Sequence, residues 1–192
     1  MRTLTYFVAA TIDGFIAESS GTDPTDSLFG VEGDHMAAIS AEYPEIIPGH
    51  VRTALGIAPD NVRFDTLLEG RHSYEIGLQA GITNAYPHLR HYLFSTSMAE
   101  SPDPTVELVR DDAVETVRRL KREDGDGIWL CGGGRLAWSL RTEIDELIVK
   151  VNPVVTGSGV PLFAGGFDAM RFRLERSRTF DSGVVFLTYT RS

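Results

Sequence analysis

The sequence predicts an α/β fold in which helices cover a mixed, mostly parallel sheet of about eight strands. Apolar strand-like segments alternate with helix-like segments over most of the 192 residues, which is typical of strand–helix–strand units. The last two strand-like segments are separated only by the short polar stretch FDSG, at residues 180–183. So short a connection favours an antiparallel hairpin at the end of the sheet. The length suits one domain, residues 1–192.

The pattern assigns each element in chain order. The predicted strands are Thr3–Ala10, Phe64–Leu68, His91–Ser95, Val106–Val109, Gly127–Cys131, Glu146–Asn152, Phe172–Thr179 and Val184–Thr190. The predicted helices are Glu32–Glu42, Pro44–Ile57, Ser73–Gly81, Asp111–Asp124 and Gly134–Ile144. The longest interval between strands, residues 17–63, is rich in glycine, proline and acids. We expect it to carry a loop that borders a substrate, because long loops in compact domains often do.

The net charge and the composition argue against several classes of function. The net charge of −9 argues against a nucleic-acid partner, since phosphate backbones are bound by clustered bases. No segment has the ~20 apolar residues needed to span a membrane, and the start lacks a signal-peptide pattern. Cys131 is the only cysteine, so we expect a reducing cytoplasm and a buried, inert thiol rather than a nucleophile. No histidine spacing predicts a metal site. The expected partner is a small-molecule substrate.

The segment IWLCGGGRLAWSL, residues 128–140, places three glycines between a buried strand and a helix. Gly132, Gly133 and Gly134 would leave backbone N–H groups free beside a helix N-terminus, which suits a phosphate or pyrophosphate. The alternative is a tight turn with close packing. No Lys-Ser/Thr pair follows, so a P-loop is excluded. Asn152 stands where a classical Rossmann fold needs an acid, so that fold is disfavoured.

Two further strand ends carry polar residues of the same kind. Gly70 and Arg71 end one strand, and Ser73 can cap the helix that follows. A guanidinium beside free N–H groups is suited to phosphate oxygens. The strand YLFSTS ends in three hydroxyl residues, at positions 95–97, which can bind a ribose or its phosphate. Ligands of α/β sheets bind at the carboxyl ends of strands, so we expect these turns to share one site.

Four motifs, in order, resemble the dihydrofolate reductase-like superfamily, in particular the branch that includes the reductase domain of bacterial riboflavin biosynthesis. They are VAATIDGFIA (residues 8–17), GRHSYE (70–75), CGGGRLAWSL (131–140) and IDELIVKVNPVVTGSGVPLF (144–163). The resemblance runs the length of the chain. It implies a single-domain, three-layer dihydrofolate reductase-like fold, the cofactor NADPH, a homodimer and an oxidoreductase activity.

The resemblance also implies which residues bind the cofactor. Those at the nicotinamide are Ala9, Ala10 and Ile16. Those that hold the phosphates from one side are Gly70, Arg71, His72 and Ser73. Those at the adenosine 2′-phosphate are Ser95, Thr96 and Ser97. Those that wrap the pyrophosphate from the other side are Gly132, Gly133, Gly134, Arg135 and Leu136, with Arg135 equally suited to face solvent.

The chain departs from the family pattern on the substrate side. The helix that carries the pterin-binding acid of true dihydrofolate reductases has none in its second half here, and Glu45 lies at its wrong end. Folate reduction is therefore disfavoured. The riboflavin-pathway reductases carry a basic, proline-containing segment for a ribose phosphate before the third strand. Here that connection is short, which argues against a phosphoribosyl substrate, although Arg90 and His91 could partly replace the missing segment.

Asp13 is the predicted catalytic residue, placed to polarise a substrate or relay a proton. Its alternative role is to cap the Asp13–Gly14 turn. Asp34, His35 and Tyr43 are substrate-side candidates by position alone. The proposed activity is hydride transfer from NADPH to a small heterocyclic or carbonyl compound. The alternatives are a non-catalytic NADP(H)-binding sensor and a domain without a ligand.

Overall fold

The computed structural model describes residues 1–25, 27–58 and 60–192. Within these residues the strands are β1 (Leu4–Thr11), β2 (Phe15–Ala17), β3 (Phe64–Gly70), β4 (Arg90–Phe94), β5 (Val106–Val109), β6 (Gly127–Gly132), β7 (Glu146–Asn152), β8 (Val160–Pro161), β9 (Phe172–Thr179) and β10 (Val185–Arg191). Eight of them correspond to the predicted strands. The short strands β2 and β8 were not predicted, because two or three residues show no usable periodicity.

Eight strands form one sheet in the order β5-β4-β3-β6-β1-β7-β10-β9. Every neighbouring pair from β5 to β7 is parallel, whereas β10 runs antiparallel to both β7 and β9. The prediction of a mixed, mostly parallel sheet with a C-terminal antiparallel hairpin is therefore confirmed. Strands β2 and β8 pair separately as a small antiparallel sheet. Because the six strands from β5 to β7 in this order run parallel, their carboxyl ends lie along one edge of the sheet.

The helices are α1 (Asp34–Glu42), α2 (Gly49–Leu55), α3 (Arg71–Gln79), α4 (Ala113–Arg122) and α5 (Gly134–Ser139), with a 3₁₀ turn at Pro44–Ile46. The predicted continuous helix Pro44–Ile57 was wrong. Pro48 has an extended ψ of 141°, and Ile47 before it is also extended, as residues before proline prefer. None of the helices described is long and apolar enough to cross a membrane.

The helices cover the sheet on two sides and give three layers. Helices α4 and α5 pack on one face, where Val117 and Leu140 join the cluster that contains Leu130. Helix α1 and the segment after it pack on the other face, where Ile39 contributes to the cluster around Phe7. Successive strand residues alternate between the faces. Each fully buried aliphatic or aromatic side chain stabilises the fold by about 1.5–3 kcal/mol.

Glu45 fastens the segment before α2 to the start of β3. Its carboxylate is fully buried and accepts backbone N–H groups from Arg63 at 2.7 Å, Phe64 at 2.8 Å and Val62 at 3.2 Å. Charged acceptors of this kind form the stronger hydrogen bonds in proteins. The acid that the sequence places at the wrong end of the helix therefore has a structural role.

Candidate cofactor and substrate site

The carboxyl edge of the sheet brings the two glycine turns together. Glu69 of β3 is paired in register with Gly132 of β6, so the chain leaves both strands at the same level. A Cβ built on Gly70 would lie 3.7 Å from the carbonyl oxygen of Gly132 and 3.8 Å from the nitrogen of Gly133. The predicted phosphate residues of the two turns are therefore neighbours.

A narrow gap, wide enough for a methyl group, separates the second glycine turn from Ser73 at the start of α3. Among the residues described, a Cβ on Gly132 or Gly133 would meet the Ser73 hydroxyl alone, at 3.7 and 3.9 Å. The prediction that Ser73 caps this helix was wrong, because α3 begins at Arg71 and its N-cap is Gly70, which has no side chain to bond the N–H groups of the first turn. The peptide between Gly132 and Gly133 is cis. We call the space between Gly132, Gly133 and Ser73 the cradle; it suits a phosphate oxygen in position and polarity.

Arg71 links the cradle to the neighbouring strand end. Its Nη1 donates to the Ser97 hydroxyl at 2.6 Å, and its Nε donates to Glu75 at 2.7 Å. About 40% of the Arg71 side chain remains exposed, so the guanidinium can still meet an anion. His72 is exposed beside Glu75, with Nδ1 and Oε2 3.2 Å apart.

The three hydroxyl residues after β4 divide into two kinds. Ser95 is buried, and its hydroxyl accepts the backbone N–H of Met98 at 3.1 Å and of Ser97 at 3.3 Å. It therefore holds the turn. Thr96 and Ser97 are exposed on the same edge as Arg71. These two remain available to a ligand.

The rest of the second glycine turn is built into the fold. A Cβ on Gly134 would overlap the carbonyl oxygen of Pro161, and the Gly134 carbonyl accepts the N–H of Ala164 at 2.9 Å. Leu136 is half-buried against the core, and Arg135 is exposed to solvent. The three glycines thus differ: two border the cradle and Gly134 permits close packing.

The end of β1 supplies the predicted nicotinamide residues. Ala9 is half-buried and points to the face covered by α1, whereas Ala10 is buried in the core of the other face. A ligand could therefore reach Ala10 only through its backbone. Ile16, in β2, is partly buried against that same core.

Asp13 is bound to two other parts of the chain. Its carboxylate accepts the Thr11 hydroxyl at 2.6 Å and the backbone N–H of Gly157 at 2.6 Å and of Thr156 at 3.2 Å. The Thr11 hydroxyl bond is the main cause that lowers the pKa of Asp13 below its ordinary value. The carboxylate is therefore charged at neutral pH, and it joins the end of β1 to the loop after β7. This geometry gives Asp13 a structural role, but its backbone partners belong to the loop after β7 and not to the Asp13–Gly14 turn of the alternative.

Replacing Asp13 with asparagine tests both roles. We expect NADPH affinity and turnover at neutral pH to stay close to those of the wild type, because the amide keeps one oxygen for the Gly157 N–H. Melting temperature and steady-state rates measured between pH 5 and 8 check this. If the variant bound NADPH normally but had no turnover, Asp13 would be a catalytic residue after all.

The other substrate-side candidates fall in different places. Asp34 accepts the backbone N–H of Asp181 at 2.9 Å and of Ser182 at 3.2 Å, so it holds the β9–β10 turn. Tyr43 is buried, and its hydroxyl accepts Arg63 Nη1 at 2.9 Å, at the amino edge of the sheet. His35 lies on α1 with its Nδ1 2.9 Å from the Ser182 hydroxyl.

The suggested phosphate residues Arg90 and His91 are not at the site. Arg90 begins β4, so it lies at the amino edge, where it pairs with Glu123 at 2.9 Å. His91 is buried with its Nε2 2.6 Å from the Glu69 carboxylate. The prediction that Arg90 and His91 could bind a substrate phosphate was wrong, because both side chains contact acids and Arg90 lies at the opposite edge of the sheet.

Sequence reasoning missed several groups on the α1 face near the carboxyl edge. Lys150 of β7 is paired in register with Ala9, and buried Glu69 precedes Gly70. Cys131 lies on the same face, and burial raises the pKa of its thiol well above the ordinary value. An inert thiol fits this position. Strand alternation could have placed these side chains on one face, but not their partners.

A second concavity, of about 680 Å³, lies at the amino edge among Arg2, Arg63 and Glu146. Its two arginines are already paired, since Arg2 bonds Asp65 and Arg63 lies 3.4 Å from Glu146. No group of three or more metal-ligating side chains occurs among the residues that the structure covers. The carboxyl edge is therefore the candidate functional site.

The RibD C-terminal domain family model matches residues 2–186. The chain belongs to this family. It is 30% identical over 193 residues to the uncharacterised Bacillus subtilis protein YwjB, with 100% of this chain and 99% of YwjB covered. It is 31% identical over 140 residues to YyaP of the same organism, which covers 66% of this chain and 74% of YyaP.

Solved structures support the fold of this RibD C-terminal domain. A candidate riboflavin biosynthesis protein from Shewanella sp. PV-4 superposes with a TM-score of 0.70 at 22% identity, over 100% of this chain and 99% of that one. A diaminohydroxyphosphoribosylaminopyrimidine deaminase/5-amino-6-(5-phosphoribosylamino)uracil reductase from Thermotoga maritima gives a TM-score of 0.66 at 16% identity, over 100% of this chain and 57% of that one. The dihydrofolate reductase-like fold and the resemblance to the riboflavin-biosynthesis branch are confirmed.

Proposed function

We propose that this RibD C-terminal domain is an NADPH-dependent reductase that transfers a hydride to a small heterocyclic or carbonyl compound. The observation that carries the proposal is the cradle. Because Gly132 and Gly133 carry no side chains, a methyl-sized gap remains between them and Ser73 in the first turn of α3. Family membership and the reductase named among the solved neighbours support a reductase role.

The residues at the carboxyl edge fit a dinucleotide. Ser73 and the first-turn N–H groups of α3 would hold phosphate oxygens from one side, and Gly132 and Gly133 from the other. Arg71, which the resemblance groups with the residues at the other phosphates, bonds Ser97 and would therefore receive the 2′-phosphate together with Thr96 and Ser97. Ala9 offers a small side chain against which a flat ring can lie. The cofactor, when bound, supplies the hydride, and the chain orients it.

The activity is tested by NADPH oxidation in the presence of a substrate panel. The panel comprises aminopyrimidine ribose phosphates, pterins and simple carbonyl compounds, each followed at 340 nm with the product identified by mass spectrometry. We expect saturable oxidation with at least one class and none with dihydrofolate. NADPH binding without turnover on any class would contradict the reductase proposal and support the sensor alternative.

Arg71→Ala tests the cofactor preference. A charge-assisted bond to phosphate is worth about 1.5–3 kcal/mol, so NADPH affinity should fall about 10- to 100-fold. NADH lacks the 2′-phosphate, and its affinity should change little. Arg118→Ala is the matched control, because Arg118 is half-exposed on α4 and pairs with Glu143, away from the site. Equal losses of affinity for NADPH and NADH would show that Arg71 does not bind the 2′-phosphate.

A second candidate function, a non-catalytic NADP(H)-binding sensor, is favoured by one observation. The two acids that sequence places near the substrate, Asp13 and Asp34, both have carboxylates bound by backbone N–H groups. Neither is free to act as a proton donor. The turnover assay separates this alternative from the reductase, since both predict NADPH binding.

A further inference from the structure

Lysine is rare in this chain and is used only in buried positions. Lys121 and Lys150 are the two lysines in the sequence, whereas the remaining basic residues, apart from histidine, are arginines. Their exposed fractions are 4% and 8%. Lysine is among the residues least often buried, unless it is paired. Each of these two positions therefore needs a specific reason.

Lys121 has a structural reason. Its ammonium donates to the Glu143 carbonyl at 2.9 Å and lies 2.7 Å from the Asp145 carboxylate. The Asp145 carboxylate in turn accepts the backbone N–H of Leu4 at 2.8 Å. This network joins α4 to the start of β1 and β7. It shows how the fold accommodates a lysine that it buries for stability.

Lys150 has no such network among the residues described. Burial alone lowers the pKa of its ammonium, and neither a hydrogen bond nor an ion pair contributes. Its strand neighbours are Ala9 on β1 and Phe186 on β10, which carry no charge. On α1, His35 is within electrostatic reach of Lys150, since its pKa is lowered first by burial and then by Lys150 itself. Neutral His35 supplies no counterion.

A buried lysine whose ammonium has no ion pair among the residues described destabilises a fold, because the cost of removing the charge from water is not offset. Such a group, when it lies in a site, is a functional candidate. Lys150 is in register with Ala9, the residue that the proposed function places at the nicotinamide. A substrate lying against that ring would therefore lie beside Nζ.

We propose that Lys150 is the substrate-binding cation of this site, and that the substrate is a planar compound carrying an anionic oxygen, such as a carboxylate or an enolate. The residues that the structure describes provide no counterion for the ammonium, so the substrate provides it. The inference rests on the proposed function for the position of the nicotinamide. It makes Lys150, rather than an acid, the polar residue that orients the substrate.

The test uses the full chain labelled with ¹³C- and ¹⁵N-lysine, which gives two lysine side-chain signals. Benzoate is the probe, and benzamide, of the same shape but uncharged, is its control; both are titrated with and without NADP⁺. We expect benzoate to shift the Lys150 ε-methylene signal saturably, and benzamide and the Lys121 signal to show no such change. Absence of a Lys150 shift both with and without NADP⁺, or equal shifts of both lysines, would overturn the proposal.

Lys150→Met and Lys121→Met form a matched pair. Lys150→Met should weaken benzoate binding about 10- to 100-fold, the range for losing a bond to a charged group. Its melting temperature should equal or exceed that of the wild type, whereas Lys121→Met should lower it by leaving Asp145 without its partner. A loss of stability in Lys150→Met as large as in Lys121→Met would make Lys150 structural and overturn the proposal.

The stability difference should also depend on pH with a defined sign. Because the folded state holds the Lys150 proton less tightly than the unfolded state, wild-type stability should rise as pH increases through the interval between the two pKa values. The extra stability of Lys150→Met over the wild type should therefore be greatest at pH values below the lowered pKa of Lys150. It should disappear above about pH 10.4, the unperturbed pKa of lysine. NADPH binding is measured separately, so that its failure would affect the proposed function and leave the benzoate result interpretable.

Discussion

Replacing Ser73 with aspartate is expected to lower the affinity for NADPH by about 100-fold or more without destabilising the fold. The Ser73 hydroxyl faces Gly132 and Gly133 across the cradle. A carboxylate there would face the phosphates, and a like-charge contact at an interface costs several kcal/mol. The same carboxylate would lie in the first turn of α3, where an acid stabilises a helix by about 0.3–1 kcal/mol.

Ser73→Asn is the matched control, because it has nearly the shape of aspartate without its charge. We expect it to reduce NADPH affinity far less than Ser73→Asp, with both melting temperatures near that of the wild type. Isothermal titration and thermal denaturation measure the two quantities. Equal affinities for NADPH in Ser73→Asp and the wild type would show that no phosphate enters the cradle.

Gly134→Ala is expected to destabilise the protein by about 3 kcal/mol, the upper end of the range typical of overpacked cores. The added methyl group would overlap the Pro161 carbonyl oxygen, and it would also press on Ala164. Both are close neighbours in the segment that holds α5 against β8. At this chain length the melting temperature should fall by roughly 6–12 °C.

Gly133→Ala is the control for the preceding substitution, since its methyl group would meet only the Ser73 hydroxyl at 3.9 Å. We expect Gly133→Ala to keep more of its stability and to lose NADPH affinity, because the methyl group enters the cradle. The main effect of Gly134→Ala, in contrast, should be a loss of stability. If Gly134→Ala melted at the wild-type temperature, the packing role of Gly134 would be refuted.

The fold could be predicted because its signals are local. The strands of the main sheet carry runs of apolar residues with turn residues between them, and the glycine turns stand directly at strand ends. The break at Pro48 was missed because the apolar spacing on either side fits one helix. Proline geometry prevailed over that periodicity.

The candidate site was harder to predict, because its properties depend on partners distant in sequence. Asp13 reads as a free acid until the structure places the Gly157 N–H, 144 residues away, on its carboxylate. Lys150 reads as one polar residue within a strand, and only the structure shows that, among the residues described, no ion pair holds it while Asp145 pairs with Lys121. Pairing of charges is set by topology and does not appear in sequence patterns.

The most direct test of the reductase account is a titration of the purified protein with NADPH and with NADH, following nicotinamide fluorescence and melting temperature together. The account predicts saturable binding that is tighter for NADPH. At about 100 times the dissociation constant, ligand binding adds about 2.7 kcal/mol of stability, which corresponds to roughly 5–11 °C. Failure of both cofactors to bind at millimolar concentration would contradict it.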